Sequence, residues 1–197
     1  MRKLIVHEFV TLDGVMQAPG GKDEDTDGGF AHGGWTIPFW HDDIGKNFVA
    51  MMEGVDALLL GRRTYVTHAD AFEPMPAGDP FGDLMNPPKK YVVSKTLTKP
   101  IWRNTTIIRD KVIDEVRALK AQPGQNIVTD GSSQLVHALL KHDLVDELHL
   151  TLYPLVLGSG KRVMPEGLHQ KFALRSATSY PTGVVGLHYV RRREAQG

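Results

Sequence analysis

Two rhythms of apolar residues run along the chain, and together they outline most of its elements. Leu4, Ile5, Val6, Phe9 and Val10 make a strand of residues 3–12, which stops at the turn-forming pair Asp13-Gly14. Ile44, Phe48, Met51, Met52 and Val55 recur at helical spacing and predict a helix over about 41–53. DALLLG is a short continuous apolar run, as a buried strand is, and RRTYVTHADAF begins a helix directly behind it. KYVVSKT and TTIIRD are two further strands, and Val112, Ile113, Val116 and Leu119 share one face of a helix over 111–121. NIVTDGSSQLVHALLKHDL repeats the order of strand, glycine and helix, with Leu135, Val136, Leu139 and Leu140 inward. In VDELHLTLYPLV, Leu148, Leu150 and Leu152 alternate with polar neighbours, which is strand periodicity. Residues 171–180 and 184–192 flank Pro181-Thr182-Gly183, a hairpin signal, whereas 73–88, rich in proline and glycine, is expected to be a loop.

Strands alternating with helices predict an α/β fold with a mostly parallel sheet, and the terminal hairpin adds antiparallel edge strands. No internal repeat or linker divides the chain, so one domain is expected over residues 1–192, with 193–197 as a tail. The long segment 15–39 carries glycine pairs at 20–21, 28–29 and 33–34, the mark of a binding lid or a disordered insert. Its acidic stretch KDEDTD favours solvent, while Trp35, Phe39 and Trp40 want something to cover.

Composition narrows the chemistry. At 197 residues and 41% hydrophobic, the chain can bury a substantial core. Lys plus Arg and Asp plus Glu are balanced at 23 each, so no global field draws it to nucleic acid or membrane, and any positive site is local. The absence of cysteine removes disulfides, thiolate catalysis and cysteine-ligated metals. His7 and Glu8 interrupt the first apolar stretch, so it is no signal peptide, and no run reaches the roughly 20 residues of a membrane span. A cytoplasmic protein is expected.

Three segments share one grammar, a strand running into glycine or polar residues: GRRTY (61–65), VSKT (93–96) and TDGSSQ (129–134). Ligands of open α/β sheets lie beyond the carboxyl ends of strands, where helix N-termini present free N–H groups to anions. Gly61 and Gly131 let a ligand approach the backbone, Arg62, Arg63 and Lys95 supply charge, and Thr64, Ser94, Thr96, Ser132 and Ser133 supply hydroxyls. Each segment alone is equally a plain N-cap. The three together suit a ligand with several phosphates, such as a dinucleotide.

The ordered segments VTLDGVM, LLLGRRTY, YVVSKT, IVTDGSSQLVHALL and VDELHLTLYPLVLGSGKR resemble the dihydrofolate reductase superfamily, and most closely the reductase domain of bacterial riboflavin biosynthesis. The resemblance implies a three-layer α/β/α fold that binds NADPH and passes hydride to a C=N or C=O bond of a small heterocycle. By position it implies that Gly61, Arg62 and Thr64 lie near the cofactor's phosphates. Ser94, Lys95 and Thr96 would lie where the 2′-phosphate is read, and Gly131, Ser132, Ser133 and Gln134 beneath the pyrophosphate. Asp130 is a departure, because relatives often have a second glycine there and a carboxylate would repel a diphosphate. Asp13, in the LDG turn, and Asp43, on the first helix, are the catalytic candidates. Their bland alternatives are a turn aspartate and a carboxylate favoured by the helix dipole. Trp35 and Trp40 would stack on the substrate, or simply anchor the loop. The resemblance, with the alternating LHLTLYPLV strand, implies a homodimer. The specific reaction it suggests is reduction of 5-amino-6-(5-phosphoribosylamino)uracil, with dihydrofolate reduction or dinucleotide binding without turnover as alternatives. A fused zinc deaminase, common in that branch, needs cysteines that this chain lacks.

Other signals fail. LGSGKR (157–162) has Leu155 where a phosphate loop needs glycine and Arg162 where it needs a hydroxyl. Among the nine histidines, His137 and His142 are five apart rather than four, so no metal site is expected. Asn104-Thr105-Thr106 is a glycosylation sequon without a secretion route, and Arg191, Arg192 and Arg193 are expected to be a solvated strand end.

Overall fold

The computed structural model describes residues 1–193. Its strands are β1 (Leu4–Thr11), β2 (Val55–Gly61), β3 (Lys89–Val93), β4 (Thr105–Ile108), β5 (Asn126–Asp130), β6 (Glu147–Tyr153), β7 (Lys171–Ser179) and β8 (Val185–Arg192). Its helices are α1 (Asp42–Met52), α2 (Arg62–Phe72), α3 (Pro80–Met85), α4 (Val112–Ala121) and α5 (Ser133–Lys141). The strands form one sheet in the order β4-β3-β2-β5-β1-β6-β8-β7. From β4 through β6 all neighbours are parallel, and β8 then runs antiparallel to both β6 and β7.

Both faces of the sheet are covered, which makes the α/β/α layering. The apolar stripes of α4 and α5, led by Val116, Leu119, Val136, Leu139 and Leu140, pack with Leu4, Val6, Leu59 and Ile127 on one face. Met52 of α1, Tyr65 and Ala69 of α2 and Met85 of α3 pack with Ile5, Leu58, Leu60 and Val128 on the other. Alternate residues of one strand enter different cores because successive side chains point to opposite faces. That is why ALLL of β2 and LIV at the start of β1 read as continuous apolar runs.

The segment expected to be a loop over 73–88 contains α3. Asp79 accepts hydrogen bonds from the N–H groups of Phe81 and Gly82, and Pro80 occupies the first helical position. The proline counted as a loop signal therefore starts a helix, since its missing N–H would have had no partner there anyway. The hairpin forms as its turn residues dictate, with Gly183 at φ +84° and its N–H bonded to the Tyr180 carbonyl. The terminal arginines are not simply solvated: Arg191 and Arg193 pair with Asp143, and Arg193 also with Asp146, tying β8 to the α5–β6 connection. Of the expected tail, 194–197 lie outside the described residues. No helix among the described residues is long and apolar enough to cross a membrane.

Candidate active site

The site lies where the helices diverge. Behind β2, α2 turns onto one face of the sheet, and behind the adjacent β5, α5 turns onto the other. This leaves a crevice beyond the carboxyl ends of the strands, the switch-point position of open α/β sheets. A cavity of about 880 Å³ opens there, near the upper end of the roughly 300–1,000 Å³ usual for ligand sites.

All ten residues assigned to the cofactor line this one cavity: Gly61, Arg62, Thr64, Ser94, Lys95, Thr96, Gly131, Ser132, Ser133 and Gln134. The hydroxyls decide between capping and cradling. Ser132 does not cap α5; its Oγ accepts from the Gly61 N–H at 2.8 Å, and the Ser132 N–H donates to Thr64 Oγ1 at 3.1 Å. The β2–α2 and β5–α5 turns are thus stitched to each other. Neither α2 nor α5 has a side-chain cap, so the first-turn N–H groups of both remain available to an anion. Gly131 is required at the stitch, because its φ is +65° and an added Cβ would stand 2.9 Å from Thr64. Ser94 plays a different part from its neighbours: its Oγ accepts from the N–H groups of Thr96 and Leu97 and shapes the β3 turn, leaving Lys95 exposed on the cavity wall. These features fit a dinucleotide's phosphates.

Segment 15–39 forms the opposite wall, through Met16 to Pro19 and Asp23 to Asp27. It is held down by ion pairs. Arg63 meets Asp27, and Lys161 meets Asp25 at 2.5 Å and Asp27 at 2.8 Å. Arg63 is therefore engaged by the protein itself, while Arg62 and Lys95 face the cavity. Lys161 belongs to the failed phosphate-loop motif, whose lysine here latches the loop.

The residues assigned to catalysis and substrate lie elsewhere. Asp13 does not line the cavity. It accepts from Thr11 Oγ1 at 2.5 Å and from the N–H groups of Leu157 and Gly158, and these bonds hold its carboxyl below the usual range. It is a turn aspartate that docks the 154–162 loop. Asp43 sits exposed at the start of α1, held anionic by Lys46 at 2.7 Å. The Trp35 ring is 6% exposed, set edge-on against Tyr153, with its Nε1–H donating to the Gln17 carbonyl. Trp40 also lies outside the lining. Trp35 takes the anchoring role, because the long loop has its own small core around Val15, Phe30, Ile44 and Tyr153, whereas Trp40 is 45% exposed and lies beside Gly45 of α1.

Asp23, Glu24, Asp25 and Asp27 line the loop wall, and on the sheet side the carboxylates are Asp130, which ends β5, and Glu8, one residue beyond Asp130's partner His7 on the neighbouring β1. Asp130 has two imidazole neighbours: His68 Nε2 lies 3.3 Å from one oxygen, and His7 Nδ1 is 3.8 Å from the other. Burial works against its ionisation, but the His68 hydrogen bond and the nearby His7 outweigh it, and the carboxyl sits well below its ordinary value. The carboxylate that departs from the pattern at Asp130 is thus turned to His7 and His68 of the protein itself. Glu8 is the opposite case. It is 2% exposed, and its Oε1 has no hydrogen-bond partner. Burial pushes its carboxyl well above the usual range, the Asp130 carboxylate pushes the same way, and the Gly131 N–H opposes both. Two carboxyls whose environments drive them apart are an acid and a permanent anion. The sign of Glu8 in the sequence was only a charged residue inside an apolar strand.

The profile of the RibD C-terminal domain family matches residues 2–186 of this chain. The uncharacterized protein YyaP of Bacillus subtilis (strain 168) is 29% identical over 193 residues, covering 95% of this chain and 94% of its own length. Among solved structures, a putative riboflavin biosynthesis protein from Shewanella sp. PV-4 superposes with a TM-score of 0.74 at 22% identity, covering 97% of this chain and 99% of that one. Dihydrofolate reductase from Enterococcus faecalis, solved with NADP(H), superposes with a TM-score of 0.62 at 16% identity, covering 97% of each chain.

Proposed function

The chain belongs to the RibD C-terminal domain family, and from that premise we propose that it is an NADPH-dependent reductase of a small heterocycle with Glu8 as proton donor. One observation carries the reading: two uncapped helix starts, stitched together by Ser132 and Thr64, share a cavity with a buried carboxyl that has one unpartnered oxygen. Bound NADPH supplies hydride. The chain supplies everything else. The first turns of α2 and α5, with Arg62 and Lys95, hold the phosphates, and the likeness to a dihydrofolate reductase solved with NADP(H) supports this cofactor. Phe9, Met16 and Val93 offer apolar wall for flat rings. The Glu8 carboxyl would give its proton to the nitrogen or oxygen of a C=N or C=O bond whose carbon takes up the hydride. Asp130 stays anionic and keeps that proton on Glu8.

The substrate that the reading favours is the phosphoribosylaminopyrimidine of riboflavin synthesis, in a cytoplasmic homodimer. A screen of oxidised heterocycles for loss of reduced-nicotinamide absorbance tests the reaction. Glu8→Gln should lower kcat by about 10²–10⁴-fold, the usual contribution of a positioned acid, with NADPH affinity unchanged. Failure of the wild type to bind NADPH in calorimetry would overturn the reading.

A further inference from the structure

We propose that Glu147, His149 and His188 form a binding site for a first-row divalent cation of the zinc class. The three sit away from the cavity, on the part of the sheet where β6 meets β8. His149 and His188 are direct cross-strand partners in the antiparallel ladder, so their side chains emerge together on one face. Glu147 lies two residues before His149 and shares that face. Both imidazoles converge on one carboxylate oxygen: Glu147 Oε2 is 3.2 Å from His149 Nε2 and 3.0 Å from His188 Nε2. All three ligand atoms lie within 4.8 Å of one another.

The spacing matches a coordination shell. Zinc takes imidazole nitrogen and carboxylate oxygen at about 2.0–2.2 Å, so two ligands at a tetrahedral angle stand roughly 3.3–3.6 Å apart. Opening the observed contacts by about half an ångström or less would admit the ion, which the part-exposed rings can do by rotation. Two histidines and a glutamate are an established donor set for zinc, with one position left for water. The chemistry of the donors fits too. Lys3 Nζ donates to Glu147 Oε1 at 2.7 Å, which fixes the carboxylate and leaves Oε2 turned to the rings. At neutral pH an ordinary imidazole is mostly uncharged and able to ligate. With the rings at 22% and 31% side-chain exposure and the carboxylate at 7%, an ion can enter from solvent and still be partly shielded. Sequence spacing could not show this site, because one histidine comes from each strand of a non-consecutive pair.

Bound metal would tie β6 to β8 and so brace the edge of the sheet. Calorimetric titration of the untagged, chelator-treated protein with Zn²⁺ at pH 7.5 should show one equivalent, with the melting temperature rising as Zn²⁺ is added. Co²⁺ should give visible ligand-field absorption at the same stoichiometry. His149→Gln and His188→Gln keep polar bulk, and each should weaken binding more than about 100-fold, since even partners outside the ligand shell cost about 10–100-fold. Zn²⁺ should also shift the ring-nitrogen resonances of His149 and His188 in the wild type, a readout that needs no variant. NADPH binding should be unaffected by either substitution. Absence of stoichiometric Zn²⁺ binding, or binding that leaves these two rings unshifted, would overturn the proposal and leave a hydrogen-bonded Glu–His–His network only.

Discussion

Replacing Glu8 by glutamine should make the protein more stable at neutral pH, by an amount that grows with pH. Glutamine keeps the shape of the side chain and resembles the protonated acid, but it cannot ionise. In the folded protein the Glu8 carboxyl is 2% exposed, one oxygen has no partner, and Asp130 adds repulsion, so its pKa is raised. The unfolded chain releases that proton above about pH 4.3, while the folded chain keeps it. The stability that this proton contributes is therefore complete below the unfolded value and lost as pH rises through the folded one. The slope of that loss is at most about 1.4 kcal/mol per pH unit. Over two units the wild type can lose about 3 kcal/mol relative to Glu8→Gln, a large share of a typical 5–15 kcal/mol total. Urea unfolding of both proteins at pH 5, 6, 7 and 8, followed by circular dichroism and fluorescence together, gives the difference directly. His7 and His68, beside Asp130, occur in both proteins, so their contributions largely cancel. A difference that stays constant from pH 5 to 8 would refute the reasoning: Glu8 would then ionise in the fold as it does in water, and would be unfit to hold a proton at neutral pH.

Arg62→Ala and Lys95→Ala should each weaken NADPH binding about ten- to a hundred-fold if the residue meets the 2′-phosphate, with NADH affinity unmoved; calorimetry with both cofactors measures this, and equal losses for the two would place the contact on the pyrophosphate instead. Gly131→Ala must bear a left-handed φ, costing about 1–2 kcal/mol, as well as a Cβ 2.9 Å from Thr64. Lower thermal stability and weaker NADPH binding should appear together, and an unchanged dissociation constant would dissociate the stitch from the phosphate site. Asp27→Ala removes the partner of Arg63 and one partner of Lys161. Amides of residues 20–34 should then exchange faster with solvent, as they should in the wild type at high salt, because exposed pairs are worth only about 0.2–1 kcal/mol each and are screened.

What the sequence determined by itself is what depends on neighbours in the chain. Period-two and helical-period apolar patterns place β1, β2, β5, β6, α1, α4 and α5, because burying one face of an element constrains residues only a few positions apart. The grammar of strand ends with glycine or polar residues picked out one wall of the cavity for the same reason, since a strand end and the residues behind it are contiguous. The loop at 73–88 misled because proline and glycine counts ignore position: only the Asp79 cap makes Pro80 the start of α3. Charge chemistry was decided by the tertiary structure. Asp13, Asp43 and Glu8 are alike as letters, yet hydrogen bonds from Thr11 and the 157–158 backbone settle the first, Lys46 the second, and burial beside Asp130 the third. Trp35 faces Tyr153 rather than the cavity, because the long loop closes its own core. His149 and His188 meet only because β8 folds back beside β6. A side chain's protonation and partners depend on the dielectric and charges within a few ångströms of it, and the residues that set them here come mostly from distant parts of the chain.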